Sequence, residues 1–458
     1  MTEQIDATRR FALPLAMVLA AGGGWSAEAK TAATTKPTAV SDPAPATSFG
    51  LDPASREDQT VKLQAAIDQS AARGATLVLP AGTYLAGTLH LRPGTRIAGA
   101  GATLVFAVSG ALLRGREVHG LRLSGLTLDG GLLPLDDALV MLSASRDVLV
   151  ADVTFQRSGK TAIRLDGCSG RVTGSTFTDH RTAAIMSLDA TGLEISHNTV
   201  QRCGDNGILV WRSAHGEDGT IVAFNRITDI KANSGGTGQN GNGINIYRAG
   251  SVSAANNRIT DCAYSAIRAN EASNVQMTAN TIARIGEVAL YAEAADERRG
   301  AAGFEGALIA NNVIDTAATG IVVTNFNNGG RLSVVQGNLV RNLMRREHER
   351  VDKRGEGIAV EADAVVSNNV VENAATCGIM IGWGRHMREV VATGNLIRRA
   401  RIGIAVTSDG GQCLIAQNMI SDTKDGAIRA MQLAVPIGAD MITGKGPRHI
   451  VLMGNVGI

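Results

Sequence analysis

The sequence predicts an all-β fold: a single-stranded parallel β-helix, a solenoid of about 13 or more rungs with an α-helical cap at its N-terminal end. Three observations predict it. The chain has 54 glycines and 44% hydrophobic residues but only 3% aromatics, a core of Val, Ile, Leu and Ala interrupted by many tight turns. A motif recurs past residue 120: Asn-x-(Val/Ile), about nine residues, then (Gly/Ala)-Ile-x-Val. The bare repeat measures 22 or 23 residues, as from Val153 to Ser175 and from Ser175 to Asn198. That length is too long for a hairpin array and too short for a helix pair, and it fits one coil whose strands stack about 4.8 Å apart.

In chain order, the first element is an address. Thr8-Arg9-Arg10-Phe11 leads an apolar stretch to Ala21 and a small-residue end at Ala27-Glu28-Ala29, so residues 1–29 read as an export signal of twin-arginine type. Residues 30–51 are rich in Ala, Thr and Pro and are expected to be a linker, leaving 52–458 as the β-helix domain. Residues 57–73, with apolar Val61, Leu63, Ala66 and Ile67 and a closing Gly74, predict the cap helix. Thr76–Pro80 and Gly82–Leu85 follow as the first strands. Repeats then start at Leu126, Val153, Ser175, Asn198, Asn225, Asn257, Asn280, Asn312, Asn338, Asn369, Asn395, Asn418 and Asn455.

Composition also excludes functions. Lys+Arg 44 against Asp+Glu 42 gives a net charge of +2, which lacks the basic excess of a dedicated nucleic-acid binder. No apolar run reaches the roughly 18 residues of a membrane span, so no membrane partner is expected once the signal is removed. The ten asparagines sharing one repeat position predict a structural ladder, each side chain bonded to its neighbours and to turn backbone. Five cysteines fit no disulfide framework: Cys203 and Cys262 share a column but have a rung between them, beyond the roughly 7 Å between Cα atoms that a disulfide allows. They are expected to be buried thiols. His180, in the same column one rung before Cys203, is expected to be a buried histidine and not a ligand, and no metal site is predicted.

Strand side chains alternate between core and solvent. In (Gly/Ala)-Ile-x-Val-x the third and fifth residues face outward. Rung by rung this gathers Trp211, Asn245, Tyr247, Arg268, Asn270, Tyr291, Glu293 and Glu361 into one exposed patch, with three of the chain's seven Trp and Tyr residues. Insertions cluster at the same rungs: Asn225 to Gly243 and Asn338 to Gly357 stretch the usual nine residues to eighteen and nineteen, and Glu293 to Asn312 is also long. They are expected to wall a groove. Arg345, Arg346, Arg350, Lys353 and Arg354 in the second insertion suit an acidic ligand, diluted by Glu347, Glu349 and Asp352.

The repeat, with its helix and Leu79-Pro-Ala-Gly-Thr-Tyr84 opening, resembles the right-handed parallel β-helices of the pectin-lyase-like superfamily from about Asp52 to Ile458. With the arginine pair it resembles the uncharacterised family of twin-arginine-translocated β-helix repeat proteins. The resemblance implies the right-handed coil, passage through the twin-arginine export machinery and a periplasmic or secreted location. It implies no catalytic set: the Gly-His-Gly segment of polygalacturonase-like members and the Asp-Pro-His-Asp motif of mannuronan epimerases are absent.

Aromatic faces, amides and charges in a groove suit a polysaccharide ligand, bound by Trp211, Asn245, Tyr247, Asn270 and Tyr291. The expected class is therefore an exported carbohydrate-active protein. The alternatives are a non-catalytic glycan-binding or scaffold solenoid, and a protein carrying an unidentified cofactor or metal inserted before export. Cleavage, if hydrolytic, falls to Glu293 as base, kept ionised by Arg268, and to Glu361 as acid. They lie two rungs or roughly 9–10 Å apart, near the 6.5–9.5 Å of inverting glycosidases. In a lyase, Arg268 or Tyr291 would move the proton.

Overall fold

The computed structural model describes residues 43–236, 238–294, 304–347 and 354–458. The expected export signal and residues 30–42 of the expected linker lie outside them. Residues 41–458 form one compact unit.

The chain coils into three faces. One is a sheet of sixteen strands, running from Ala44–Pro45 to Ile450–Met453. The other two join around a corner into a sheet of twenty-six, because long strands such as Val313–Thr324 and Leu396–Thr407 continue from one face to the next. Between named strands every pairing is parallel except one hairpin, Ile428–Gln432 with Val435–Ile437. The repeat register holds in space: Thr199 pairs with Arg226, Arg226 with Arg258, Arg258 with Thr281 and Thr281 with Val313. Each rung thus sets its Ile and Val side chains on those of the next, giving an interior column that includes Ile208, Ile244, Ile267, Leu290 and Ile321, all fully buried.

The asparagine column is the internal support of one corner. Asn312 donates from Nδ2 to the Met277 carbonyl at 2.9 Å and to Asn338 Oδ1 at 2.9 Å, while its own Oδ1 accepts from the Asn280 backbone at 2.9 Å and Asn280 Nδ2 at 3.0 Å. The same pattern runs from Asn198 to Asn455. It answers a backbone need, since the residue before the asparagine turns through the left-handed region, as at Phe224 (φ 57°), and breaks the strand hydrogen bonding there.

The cap helix spans Thr60–Ala72 and buries Leu63, Ala66, Ile67 and Ser70. Val61 points outward instead, 83% exposed, so the apolar face starts at Leu63, two residues later than the sequence suggests. The expected linker also ends earlier than residue 51. Ala44–Pro45 pairs with Leu77–Val78, and Ala46 and Leu51 join the core. The segment is held by these backbone bonds and by Ala46, Phe49 and Leu51 packed on the core, which its overall composition does not reveal.

All five cysteines are free and buried, with Ile230 seated between Cys203 and Cys262. His180 lies opposite Cys203 and is 3% exposed. Its Nδ1 accepts the Ser158 N–H at 3.3 Å, and burial pushes its pKa down to about 3, so it is a neutral core residue.

Candidate binding site

The outward row forms in the predicted register. Trp211 pairs with Tyr247, Tyr247 with Asn270, Asn270 with Glu293 and Glu293 with Thr324. Val323 pairs with Val360, which sets Glu361 beside Thr324. A second row alongside reads Leu209, Asn245, Arg268, Tyr291 and Val322.

The upstream part of these rows is not the open groove expected from strand alternation. Asn245 is 5% and Glu293 9% exposed. Trp211 Nε1 donates to Asn245 Oδ1 at 2.8 Å, and the Trp211 and Tyr247 rings meet edge to face at 5.9 Å. Arg268 Nε and Asn270 Nδ2 both donate to Glu293 Oε1, at 2.7 and 2.6 Å. The Tyr291 ring lies under two guanidiniums, Arg268 at 5.0 Å and Arg354 at 5.9 Å. Burial, reinforced by the Glu293 charge, pushes its phenol up to about 12. The first insertion covers this network instead of walling it. A Cβ on Gly238 (φ 125°) would fall 1.5 Å from Arg268 Nη1, and Tyr264 OH donates to the Gly236 carbonyl at 3.0 Å. Of the other two insertions, residues 295–303 and 348–353 lie outside the described residues.

Past Thr324 the rows open into a pocket of about 480 Å³, within the usual range for small-ligand sites. Its floor is apolar: Val322, Ala359, Met380, Ile402 and Met431. Met380, Ile402, Ala405 and Met431 with Cys377 form a hydrophobic cluster separate from the solenoid core. Its walls carry Arg345, Arg354 and Arg401 against Glu356 and Glu361, and Trp383, 44% exposed, stands at the rim with Ala434 and Pro436 of the hairpin. Arg345 is aimed by Glu347 Oε1 at 2.9 Å and Thr376 Oγ1 at 3.2 Å, and Arg401 by Asp425 Oδ2 at 2.5 Å.

Glu361 is the chemically distinctive group. Its Oε2 accepts the Phe326 N–H at 3.0 Å, and the Asn325 side chain clamps the next residue through Ala362 N and O at 3.0 and 2.9 Å. Burial raises its pKa to about 7, outweighing the backbone N–H groups of Phe326 and Asn325 that lower it. A carboxyl half-protonated at neutrality can give a proton to a bound oxygen.

Of the eight residues of the outward patch only Glu361 lines this pocket, but Arg345 and Arg354 of the second insertion, read from the sequence as suited to an acidic ligand, line it too. Glu293 and Arg268 are adjacent but engaged with each other, and Trp211, Asn245, Tyr247 and Asn270 lie further upstream. Glu356 opens the strand Glu356–Val360 and Glu361 directly follows it, five residues and roughly 16 Å of extended backbone away, so they do not form a glycosidase-like pair either. Sequence reasoning missed Trp383, Met380, Met431 and the hairpin. One signal was present: Met431 occupies an outward position, and an apolar side chain there calls for a cover. Among the described residues no three His, Cys, Asp or Glu side chains cluster as a metal site would require.

Comparison with known proteins agrees with the architecture. The model of the right-handed β-helix region matches residues 137–232 and 214–387, together more than half of the chain. A second model, rhamnogalacturonase A/epimerase, pectate lyase-like, matches residues 45–116. Among solved structures, gene product 12 of bacteriophage phi29 superposes with TM-score 0.52 at 14% identity, covering 90% of this chain and 56% of that one. Its N-terminal fragment gives 0.51 at 15% identity, covering 90% and 70%. The exopolygalacturonase of Thermotoga maritima gives 0.35 at 12% identity, covering 86% and 92%. At these identities the likeness is one of fold. No curated protein matches in sequence.

Proposed function

The chain belongs to the right-handed β-helix family, and on that premise we propose that it is an exported carbohydrate-active protein whose pocket seats an acidic sugar of a polysaccharide. The observation that carries this reading is the composition of the pocket: an apolar floor, three arginines and one partly buried carboxyl that is about half protonated near neutrality. Apolar side chains and Trp383 suit the C–H face of a sugar ring. Arginines hydrogen-bond a carboxylate with paired N–H groups. Glu361, when protonated, is the group placed to protonate the glycosidic oxygen and so let that C–O bond break. The pectate-lyase-like match over residues 45–116 supports the same class, as does the export signal read from residues 1–29.

A second reading, binding without cleavage, is favoured by one specific feature: Glu293, the other carboxylate expected to act, is bonded to Arg268 and Asn270 and does not line the pocket. Product analysis separates the two. Protein recovered from the periplasmic fraction is incubated with polygalacturonate and alginate, and chain length is followed. Shortened chains are the expected result: new reducing ends without absorbance near 235 nm signify hydrolysis, and new reducing ends accompanied by that absorbance signify elimination. Binding with unchanged chain length would establish the second reading, and no binding to either polymer would overturn both.

A further inference from the structure

Resting on the acidic-sugar reading, the shape of the site says how a polymer approaches it. The solenoid offers a linear ligand a lane along its axis, one outward residue per rung, but the pocket is closed at both ends of that lane. Upstream, the lane is filled by side chains bonded to one another: Arg268 and Asn270 on Glu293, and Tyr291 beneath Arg268 and Arg354.

Downstream, the closure is built from two pieces. The loop after Ile381 folds back on itself, Trp383 and His386 exchanging backbone hydrogen bonds at 3.2 and 3.0 Å. Thr407 Oγ1 ties that loop to the wall by donating to the Gly384 carbonyl at 2.6 Å. A Cβ on Gly384 would stand only 3.2 Å from Leu433 Cδ2, so the loop tip meets the turn of the hairpin. The hairpin is anchored in turn. Arg429 donates to the Asp425 and Gly438 carbonyls at 2.6 and 2.9 Å, and the Asp440 carboxylate accepts the backbone N–H groups of Ala427 and Ile442 at 2.6 and 3.0 Å. This hairpin is the one antiparallel pairing between named strands, an element the solenoid does not need for its own stacking.

We infer that the pocket takes the end of an acidic polysaccharide chain and not its interior, with Trp383 and the hairpin turn at Leu433 acting as the stop. A mid-chain sugar seated beside Glu361 would have to continue through Trp383 on one side or through the Tyr291 stack on the other. A chain end entering from solvent meets neither.

The stoichiometry of binding tests this. Calorimetric titration of the full chain is carried out with the tetrasaccharide of galacturonate and with long polygalacturonate, and likewise with alginate and its tetrasaccharide. One protein bound per chain, for tetrasaccharide and polymer alike, is the expected result. Many proteins bound along each polymer chain would overturn the chain-end inference while leaving the acidic-sugar reading intact. No heat with any of the four would overturn the reading beneath it, and the inference with it. A Leu433→Gly/Trp383→Ala variant is expected to bind several copies per polymer chain. One copy per chain in that variant would show that the loop and hairpin are not the stop.

Discussion

Replacing Asn312 with alanine is expected to destabilise the protein by about 4 kcal/mol, the sum of four buried hydrogen bonds at roughly 1 kcal/mol each. Asn312 is 1% exposed, so water cannot replace the lost partners, and the Asn280 backbone N–H is left facing a methyl group. The damage spreads because each rung's bond depends on the next: Asn280 loses its side-chain acceptor and Asn338 Oδ1 one of its two donors. Urea denaturation would read the difference against Gln336→Ala, an exposed strand substitution expected to change stability by no more than about 0.5 kcal/mol. Similar small losses for both variants would show that the ladder is ornamental and that stacking of Ile and Val alone holds the coil.

Glu361→Gln is expected to do the reverse for stability and to abolish most of the chemistry. The Glu361 carboxyl has a pKa of about 7 in the folded protein against an ordinary 4.5. A raised acid favours the folded state below the ordinary value and loses that contribution as pH rises through about 7. Across that window the folded protein is penalised by about 3 kcal/mol for burying the charge. Glutamine carries no charge and keeps an oxygen for the Phe326 N–H. The variant should therefore be more stable than the parent by about 3 kcal/mol near pH 8 and equal to it near pH 4. Any cleavage of a polyuronate should fall by about 10²–10⁴-fold, the usual worth of a positioned acid. Thermal melts at the two pH values together with product assays read both effects. Equal stability at both would mean that Glu361 is not a buried acid, and undiminished turnover would remove it from the chemistry.

Much of the architecture was written in the chain. The Asn-x-(Val/Ile) spacing set the rung length and the register, because a solenoid stacks like on like and the same residue types must recur. The ladder and the buried His180 followed from the same column logic. Alternation along strands correctly placed Glu293 and Glu361 in one outward row, but outward does not mean exposed. Asn245 is buried against Trp211 and Glu293 against Arg268 and Asn270, with Gly238 lying close on Arg268, contacts between residues distant in sequence that no periodicity encodes. The pocket was invisible for a related reason. Its far wall is a hairpin whose returning strand, with Pro436, leaves the repeat pattern, and two of its three arginines, Arg345 and Arg354, come from an insertion whose path a repeat cannot predict. Residues 44–51 were missed because a two-residue strand is held by its backbone pairing, and the few side chains that pack beneath it, Ala46, Phe49 and Leu51, make no periodic pattern.

The central claim is that the arginines around Glu361 recognise a carboxylate-bearing sugar. The most direct measurement compares binding of a polyuronate with binding of the same polymer after its carboxyl groups have been reduced to alcohols. Removing a carboxylate that hydrogen-bonds to arginine forfeits about 1.5–3 kcal/mol, so the reduced polymer should bind roughly 10- to 100-fold more weakly. Arg354→Ala should weaken binding of the native polymer and leave that of the reduced one unchanged. Equal affinity for the two polymers, in parent and variant alike, would contradict the account.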